Sequence, residues 1–589
     1  MVDLKATPYN LDDEGVKWVE ETLASMTDEE KIGQLFINMG SSRDPEYLKG
    51  VLDNYHIAGV RYQKANAEDI WEQNRCLQDN AKIPLLIAAN TEAGGNGAVN
   101  DGTYVGHEVK IAATGDEKYA YELGRISGVE AAAVGCNWSF APIVDLNNNW
   151  RNPIISVRTW AQDPDYTLKL SLAYMKGIME SNIMPAAKHW PGDGIDERDQ
   201  HLSSAPNWLS VEEWDATFGK VYKGLIDAGL PSIMAGHIAM PAYQKLYNPD
   251  MKPEDIMPAT LSHDLTTKLL RDKLGFQGVV VTDASHMVAM TGAMPRREVL
   301  PTAIMAGCDL FLFFNDPDED FGWMMDALKD GRLTRERLDE AVTRTLGLKA
   351  KIGLHTTARE DLFPAKEEAL KLIGTDEAKA VAVEVADKAI TLVKDADKRF
   401  KPLPISPETH KRVLIVPIEG APNPMAALGG GDGNPAERLA AQMRERGYEV
   451  EVFETLLQKA KGKGEEELAK LVMSAYEGKA PVSNITDNYD LIISAAKVNG
   501  LMQPIERVYW PSTKGTMDIP WYVHEVPTVF ISFACPNHLP DVPQVKTYIN
   551  AYDDKDYTLT AVLDKLEGKS EFTGVSPIDA FGGLPDSHI

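Results

Sequence analysis

The segment that ends at His201 carries the most informative set of reactive side chains. An apolar run ends in Lys188 and His189, and a Pro-Gly turn then opens a loop that contains Asp199 and His201. Lysine and histidine at a strand end can donate hydrogen bonds to ligand hydroxyl groups. A carboxylate two residues from an imidazole can fix the histidine tautomer and raise its pKa toward the working pH. The spacing indicates an acid/base pair; a solvated loop with a chance Asp-x-His is the simpler alternative.

Asp283 comes one residue after another apolar run, Val279–Val281. A carboxylate at the end of such a strand is partly shielded from water, which suits a nucleophile in covalent catalysis. The alternative is that Asp283 caps the next helix, as Asp often does where a strand gives way to a helix. Asp283 is therefore a candidate nucleophile.

Both segments belong to a repeating pattern of short apolar runs and longer stretches with helical spacing. The candidate strands are 33–40, 58–64, 84–91, 137–146, 183–192, 232–240, 278–285 and 308–316. The candidate helices include 117–134, 164–179, 211–228 and 261–273. Continuous apolar strands separated by helices are typical of a parallel sheet covered on both faces. Eight such repeats in about 300 residues predict an α/β fold with a (β/α)8 TIM-type barrel. A doubly wound sheet is the alternative, since periodicity does not show closure.

Polar side chains concentrate at the C-terminal ends of these candidate strands. Asn90 and Glu92 lie at the end of the third run, Asp145 and Asn147 lie at the end of the fourth, and His237 lies toward the end of the sixth. The C-terminal strand ends of a barrel form one rim, where the active sites of barrel enzymes lie. We therefore expect these side chains to share a site with those named above.

The C-terminal part of the sequence predicts a second, smaller α/β layered domain. A helix within 336–354 ends the first unit, and a helix at 375–395 begins the second. The candidate strands are 412–418, 448–453, 490–496 and 527–534, with a helix at 436–446 after the first. We expect a catalytic barrel at 1–355, a linker at 356–375 and a sandwich-like α/β domain at 376–589.

Composition and charge exclude several classes of function. The chain has 589 residues, with 60 Lys and Arg against 88 Asp and Glu, so its formal net charge is −28. Such a surface repels phosphate backbones and anionic lipid, so neither a nucleic acid nor a membrane is expected as a partner. The N-terminus has no basic start followed by an apolar stretch, so no signal peptide is visible and a cytoplasmic location is expected.

Neither a cofactor nor a metal site is indicated. The four cysteines are Cys76, Cys136, Cys308 and Cys535, and they form no CxxC spacing. The Gly-rich run 429–433 precedes a helix but lacks the Gly-Lys-Ser/Thr ending of a phosphate loop, so it is interpreted as a flexible loop. The chemistry is therefore expected to come from side chains alone.

The order and spacing of several motifs match one known enzyme family across nearly the whole chain. Pro258–Ser262 followed by Gly275–Asp283 looks like a family nucleophile signature. Lys188–Gly192 with Asp199–His201 looks like the Lys-His and Asp-x-His loop of one branch of that family, and the stretch around Arg158 resembles the family's sugar-binding Arg motif. In these features the sequence resembles family 3 of the glycoside hydrolases, specifically the two-domain form of its β-N-acetylglucosaminidase branch.

The resemblance implies a retaining exo-β-N-acetylhexosaminidase that acts on a small carbohydrate substrate. It implies that Asp283 is the nucleophile and forms a covalent glycosyl-enzyme. It implies that His201, oriented by Asp199, is the acid/base. The residues expected to hold or line the sugar site are Arg158, Lys188, His189, Asn90, Glu92 and His237.

The sequence departs from the pattern of that branch at Asp193, which replaces a common His in the Pro-Gly-x-Gly turn, and in the segment after the third strand. The branch commonly has Asp-x-Glu-Gly-Gly-Arg after the third strand, whereas this chain has Asn90-Thr91-Glu92-Ala93-Gly94-Gly95. The leading Asp is replaced by Asn90, and the Arg is absent. The choice between gluco and galacto sugars is therefore left open by the sequence.

Three alternatives accompany this interpretation. A histidine acid/base repels phosphate less than a carboxylate does, so phosphorolysis competes with hydrolysis. A β-glucosidase of the same family is the second alternative. The third is a carbohydrate-binding protein on an inactive barrel, which the joint presence of Asp283, Asp199 and His201 disfavours.

Overall fold

The chain folds into two compact units. The computed structural model describes residues 2–420, 433–478, 481–498, 506–508 and 517–589. The first unit contains the residues up to Glu108 together with Glu117–Asn148 and Arg158–Ala382; the second contains Val109–Asp116, Asn149–Val157 and Val383–Ile589. Two short segments from the first 355 residues thus group with the second unit.

The first unit is built around a closed barrel of eight parallel strands. The strands are β1 Phe36–Gly40, β2 Gly59–Tyr62, β3 Leu86–Ala89, β4 Trp138–Ser139, β5 Met184–Trp190, β6 Ser232–Ala235, β7 Val279–Ala284 and β8 Leu310–Leu312. Each strand pairs with the next, and β8 pairs with β1. The predicted (β/α)8 barrel is confirmed, and all eight candidate strands contain an observed one.

The strands are apolar on both faces because each face contacts a different core. Val279 and Val281 of β7 pack with interior residues from the other strands, such as Leu86. Val280, which points to the opposite face, packs with helix residues such as Leu269. This two-sided burial explains why the strands read as continuous apolar runs and not as alternating ones.

Helices follow the strands around the barrel. Those of the N-terminal part of the chain are α1 Asp13–Ser25, α2 Asp28–Gly33, α3 Pro45–Tyr55, α4 Ala67–Asn80, α5 Glu108–Ala113, α6 Lys118–Ala133, α7 Pro164–Met179, α8 Val211–Ala216, α9 Phe218–Asp227 and α10 Pro241–Tyr247. They continue with α11 Val288–Thr291, α12 Arg296–Ala306, α13 Pro317–Asp330, α14 Arg335–Lys351, α15 Lys366–Lys371 and α16 Asp376–Ala389, and a π-type helix spans Asp264–Lys273. The start of α7 shows how the local sequence begins a helix. Asp163 accepts the Tyr166 N–H as the N-cap residue, and Pro164 occupies the first turn.

The second unit contains a six-stranded sheet. Its strands are β9 Thr391–Asp395, β10 Arg412–Glu419, β11 Glu449–Val452, β12 Leu491–Lys497, β13 Thr528–Ser532 and β14 Thr547–Asn550, in the order β11-β10-β12-β13-β14-β9. Its helices are α17 Ala436–Glu445, α18 Leu456–Ala460, α19 Glu465–Glu477, α20 Ser483–Thr486 and α21 Asp556–Leu566. All pairings are parallel except that of β9 with β14, which is antiparallel.

Two predicted helices differ from the observed elements. The helix expected at 375–395 ends at Ala389, and Thr391–Asp395 instead forms β9, because its β-branched residues pair with β14 far along the chain. The helix expected at 211–228 is divided at Thr217 into α8 and α9. Residues 429–432 of the Gly-rich run lie outside the described residues. No helix in the described part of the chain has the length and apolar composition needed to cross a membrane.

Gly59 offers a test of how tightly the barrel strands pack. A Cβ added at Gly59 would clash with the backbone carbonyl of Leu86 on β3, whereas a Cβ at Gly50, inside α3, would meet no atom within 4 Å. We expect Gly59→Ala to lower the free energy of unfolding by about 1–3 kcal/mol through overpacking. We expect Gly50→Ala to raise it by about 0.5–1 kcal/mol, because alanine favours helix. Chemical denaturation of both variants measures this, and equal stabilities would contradict it.

Candidate active site

The candidate site lies at the rim formed by the C-terminal ends of the barrel strands. Asp283 ends β7, and Lys188 and His189 end β5. Asp199 and His201 lie in the loop after β5, Asn90 and Glu92 follow β3, Arg158 follows β4, and His237 follows β6. Because all eight strands are parallel, these sequence-distant residues emerge on the same side of the barrel.

Asp283 is a largely buried carboxylate at the end of β7. Its Oδ1 accepts the Ala284 N–H at 2.7 Å, and its Oδ2 lies 3.9 Å from His189 Nε2. Burial alone would raise the pKa of Asp283, but the nearby histidines, His189, His237 and His201, and the Ala284 N–H lower it to about 2. The group is therefore ionised at neutral pH, as a carboxylate nucleophile must be.

His201 and Asp199 form a hydrogen-bonded pair in the loop after β5. His201 Nδ1 lies 2.7 Å from Asp199 Oδ1, which also accepts the His201 backbone N–H at 2.7 Å. Burial opposes protonation of His201, but the hydrogen bond to Asp199 and the charges of Asp283 and Asp199 outweigh it and raise the pKa of the imidazole. With a proton on Nδ1 directed at Asp199, Nε2 is the nitrogen that can exchange a proton with a substrate.

Asp145 holds His189 in place through hydrogen bonds. It is fully buried, and its Oδ2 lies 2.7 Å from His189 Nδ1. Its Oδ1 accepts the backbone N–H groups of His189 at 3.1 Å and of Asp193 at 2.8 Å. Asp145 thus orients the ring and the turn that opens the following loop, so that His189 Nε2 lies toward Asp283.

Glu92, Arg158 and Lys188 form one buried charge cluster. Arg158 donates from Nε to Glu92 Oε2 and from Nη2 to Glu92 Oε1, both at 3.0 Å, and Lys188 Nζ donates to Glu92 Oε1 at 2.6 Å. Burial alone would raise the pKa of Glu92, but the two cations hold it well below its ordinary value. The structure therefore brings together three of the residues expected to bind sugar, with Glu92 fixing both cations.

His237 is a buried histidine near enough to Asp283 for its charge to act on the ring. Its Nδ1 lies 3.0 Å from Thr260 Oγ1, its Nε2 lies 3.0 Å from the Ala284 carbonyl oxygen, and its backbone N–H donates to Gln200 at 2.7 Å. Burial lowers its pKa to about 4, against the opposing charge of Asp283. Both ring nitrogens have partners within the protein, so His237 connects β6 to the strand that carries Asp283. Asn90 is partly exposed after β3, and within the described residues its Oδ1 has no hydrogen-bond partner.

Two further ionisable groups were missed by the sequence analysis. Glu108 is fully buried; its Oε1 accepts the Ile143 N–H at 3.4 Å, and its Oε2 has no partner in the described part of the chain. Burial and the charge of Glu92 raise the pKa of Glu108 well above its ordinary value. His286 is exposed and close enough to Asp283 and His201 for their charges to act on it. The position of His286 near Asp283 in sequence was an available signal, whereas nothing local distinguished Glu108.

The described residues contain no candidate metal-binding site. No group of three or more His, Cys, Asp or Glu side chains there is arranged to hold a metal ion. The cysteines Cys76, Cys136, Cys308 and Cys535 are all unpaired thiols. The groups present at the rim support acid, base and nucleophile chemistry by side chains.

The burial of Glu108 predicts a pH-dependent effect on stability. Because its pKa is raised in the folded state, Glu108 contributes a loss of stability as the pH rises above about 4.5, of up to about 1.4 kcal/mol per pH unit. Glu108→Gln cannot ionise, so its stability relative to the wild type should increase from pH 5 to pH 8. Thermal unfolding at both pH values, with the exposed Glu20→Gln as control, measures this. An equal loss of stability at both pH values would show that Glu108 acts as an anion.

Comparison with known proteins identifies the family. The glycosyl hydrolase family 3 N-terminal domain matches residues 27–348. A β-N-acetylglucosaminidase/β-glucosidase from Cellulomonas fimi is 41% identical over 590 residues, covering 100% of both chains. Beta-hexosaminidase A from Pseudoalteromonas piscicida is 28% identical over 332 residues, covering 52% of this chain and 56% of that protein.

Two solved structures are similar over almost the entire chain. A β-glucoside phosphorylase, BglX, is 38% identical with a TM-score of 0.88 and coverage of 99% of both chains. A family 3 β-N-acetylglucosaminidase from Paenibacillus sp. str. FPU-7 has the same fold, with 24% identity, a TM-score of 0.77 and coverage of 95% of this chain and 100% of that one. The resemblance seen in the sequence is confirmed, and the chain belongs to family 3 of the glycosyl hydrolases as a two-unit glycosidase.

Proposed function

We propose that this glycosidase removes terminal β-linked N-acetylglucosamine with retention of configuration, using Asp283 as nucleophile and His201 as acid/base. The observation that carries the proposal is the 2.7 Å contact between His201 Nδ1 and Asp199 Oδ1 on the same rim as an ionised Asp283. An anionic carboxylate beside a histidine with a raised pKa supplies a nucleophile and an acid at one pH.

In the first step, Asp283 attacks the anomeric carbon. The carboxylate oxygen forms a bond to that carbon while the bond to the leaving oxygen breaks. His201 gives its Nε2 proton to the leaving oxygen, which departs as an alcohol. Asp199 stabilises the cationic ring before this transfer and keeps it aligned.

In the second step, the neutral imidazole of His201 takes a proton from water through Nε2. The oxygen of that water attacks the anomeric carbon and releases Asp283 as a carboxylate. Two inversions at one carbon give net retention. Arg158 and Lys188, held by Glu92, offer charged donors that can bind sugar hydroxyl groups through both steps.

The preference for N-acetylglucosamine rests on similarity. The Asp199–His201 loop resembles that of the β-N-acetylglucosaminidase branch. The full-length relative at 41% identity carries a name for both β-N-acetylglucosaminidase and β-glucosidase activity. Both sugars therefore belong in the test, and Asn90, in place of the usual Asp, is a reason to include the galacto epimer.

Phosphorolysis is the second candidate. After the first step His201 is neutral, so it places no negative charge beside an incoming phosphate, whereas a carboxylate base would repel it. The relative with a TM-score of 0.88 is named a β-glucoside phosphorylase. In this alternative a phosphate oxygen takes the place of water and the product is a sugar 1-phosphate.

The His201 assignment predicts a dependence on the leaving group. We expect His201→Ala to lower kcat/KM about 100- to 10,000-fold for alkyl or sugar leaving groups, and less for activated aryl groups, which depart without a proton. Azide should partly restore turnover of activated substrates by attacking the glycosyl-enzyme without base help. Steady-state and pre-steady-state kinetics on a leaving-group series measure this.

Asp199→Asn is the matched variant for the acid/base pair. It keeps the shape of the side chain but removes the charge that raises the pKa of His201, so the alkaline limb of the kcat/KM profile should move to lower pH. A His201→Ala penalty that is the same for every leaving group, with no azide rescue, would show that His201 only supports the loop.

The substrate proposal predicts the outcome of a panel of aryl β-glycosides with and without phosphate. We expect the β-N-acetylglucosaminide to be cleaved with a higher kcat/KM than the β-glucoside. Hydrolysis yields the free sugar in either buffer, whereas phosphorolysis yields a sugar 1-phosphate and accelerates with phosphate. Asp283→Ala is the inactive control, because loss of the nucleophile should cost far more than tenfold, or about 1.4 kcal/mol of barrier. Faster cleavage of the glucoside would contradict the proposed specificity.

A further inference from the structure

The exposed edge of the reaction centre indicates where a leaving group is bound. The side chain of His201 is 21% exposed, against 14% for Asp283 and 5% for His189. An acid must lie within hydrogen-bond reach of the oxygen that it protonates. Side chains beside the exposed edge of His201 are therefore placed to contact the aglycone, the group attached to that oxygen.

Two exposed apolar residues are joined to His201 through the backbone. Leu202 follows His201 directly and is 44% exposed, and Val288, the first residue of α11, is 49% exposed. The Val288 N–H donates to the His201 carbonyl oxygen at 3.1 Å, and the Ala289 N–H donates to the Gln200 carbonyl oxygen at 3.3 Å. We refer to Leu202 and Val288 as the apolar lip.

Backbone hydrogen bonds hold the apolar lip in place. The N–H groups of Leu202 and Ser203 both donate to the Asp199 carbonyl oxygen, at 3.0 and 2.9 Å. Val288 begins the helix that follows the strand of Asp283. The lip therefore joins the loop of the acid/base to the segment after the candidate nucleophile, and a ligand there would meet a preorganised surface.

The surroundings of the lip favour an uncharged ligand. Glu197 is exposed on the same loop, the neighbouring Arg198 is paired with Asp196 at 2.7 Å, and the chain as a whole carries a formal charge of −28. His286, between Asp283 and Val288 in sequence, is exposed and offers a polar group. An anionic aglycone would meet repulsion here, whereas a neutral one with a hydrocarbon face could cover the two aliphatic side chains.

We propose that Leu202 and Val288 form a leaving-group site that selects uncharged aglycones with an apolar face, such as longer alkyl or aryl alcohols. The proposal rests on the proposed function, since it takes His201 as the acid. Burying an alkyl chain against the lip removes apolar surface from water and stabilises the complex and the first transition state alike.

The test compares octyl and methyl β-glycosides of the same sugar. Both leaving groups are simple alkanols, so they place nearly the same demand on the acid and differ in apolar surface. We expect the wild type to favour the octyl glycoside about tenfold in kcat/KM, or about 1.4 kcal/mol. The octyl-to-methyl ratio should fall toward one in Leu202→Ser/Val288→Ser and by part of that in each single variant.

Two controls locate the effect. Val575→Ser removes a side chain that is 67% exposed on the second unit, and it should leave the ratio unchanged. Trp208→Ala removes another exposed apolar residue of the His201 loop, whose Nε1 donates to Asp196 at 2.9 Å. If the lip variants keep the wild-type ratio, or if Trp208→Ala alone abolishes it, the proposal is overturned.

Failure of this proposal is distinguishable from failure of the proposed function. A wild type that cleaves both glycosides with equal kcat/KM, and that still loses activity with Asp283→Ala, has the proposed function without the apolar lip. A wild type that cleaves no β-glycoside, or retains activity without Asp283, overturns the proposed function itself.

Discussion

Closure of the parallel barrel is the constraint on which the rest of the first unit depends. Eight strands that run in one direction and close on themselves place every C-terminal strand end at one rim. Residues as far apart as Glu92 and Asp283 meet there because each follows or ends a strand. The strands, buried on both faces, supply rigidity, and the loops after them supply the reactive groups.

The rim contains buried charges, and each is compensated by a specific partner. Burying an isolated carboxylate is costly, and this cost is reduced only when hydrogen bonds and opposite charges surround it. Glu92 has Arg158 and Lys188, and Asp145 has His189 and two backbone N–H groups. These contacts hold the side chains in defined positions before a ligand arrives, which lowers the entropic cost of binding and catalysis. The pKa of Asp283 is lowered and that of His201 is raised, so that an ionised carboxylate and a protonated imidazole can be present at the same pH.

Parts of the fold could be predicted because the responsible interactions are local. All eight barrel strands lie within short, mainly apolar runs of the sequence, and α7 begins at an Asp-Pro pair with its own cap. The strand β9 could not be predicted, because Thr391–Asp395 continues a helical pattern and becomes a strand only by pairing with β14 about 150 residues later. The helical spacing of 211–228 likewise does not show the non-helical backbone of Thr217 (φ −117°, ψ −97°). The grouping of Asn149–Val157 with the second unit joins residues that are far apart in sequence.

For the site, the sequence by itself determined which residue types stand at the strand ends and that Asp199 lies two residues from His201. Because the chain itself keeps the two residues close together, the hydrogen bond between their side chains needs little more than a local turn. Only the tertiary structure decided which strand ends share a cluster. It placed Glu92 between Arg158 and Lys188, assigned Asp145 to His189, turned both ring nitrogens of His237 toward protein partners and buried Glu108 beside the charged cluster. Charge pairing and desolvation depend on distances through space, and a linear pattern of residues does not contain those distances.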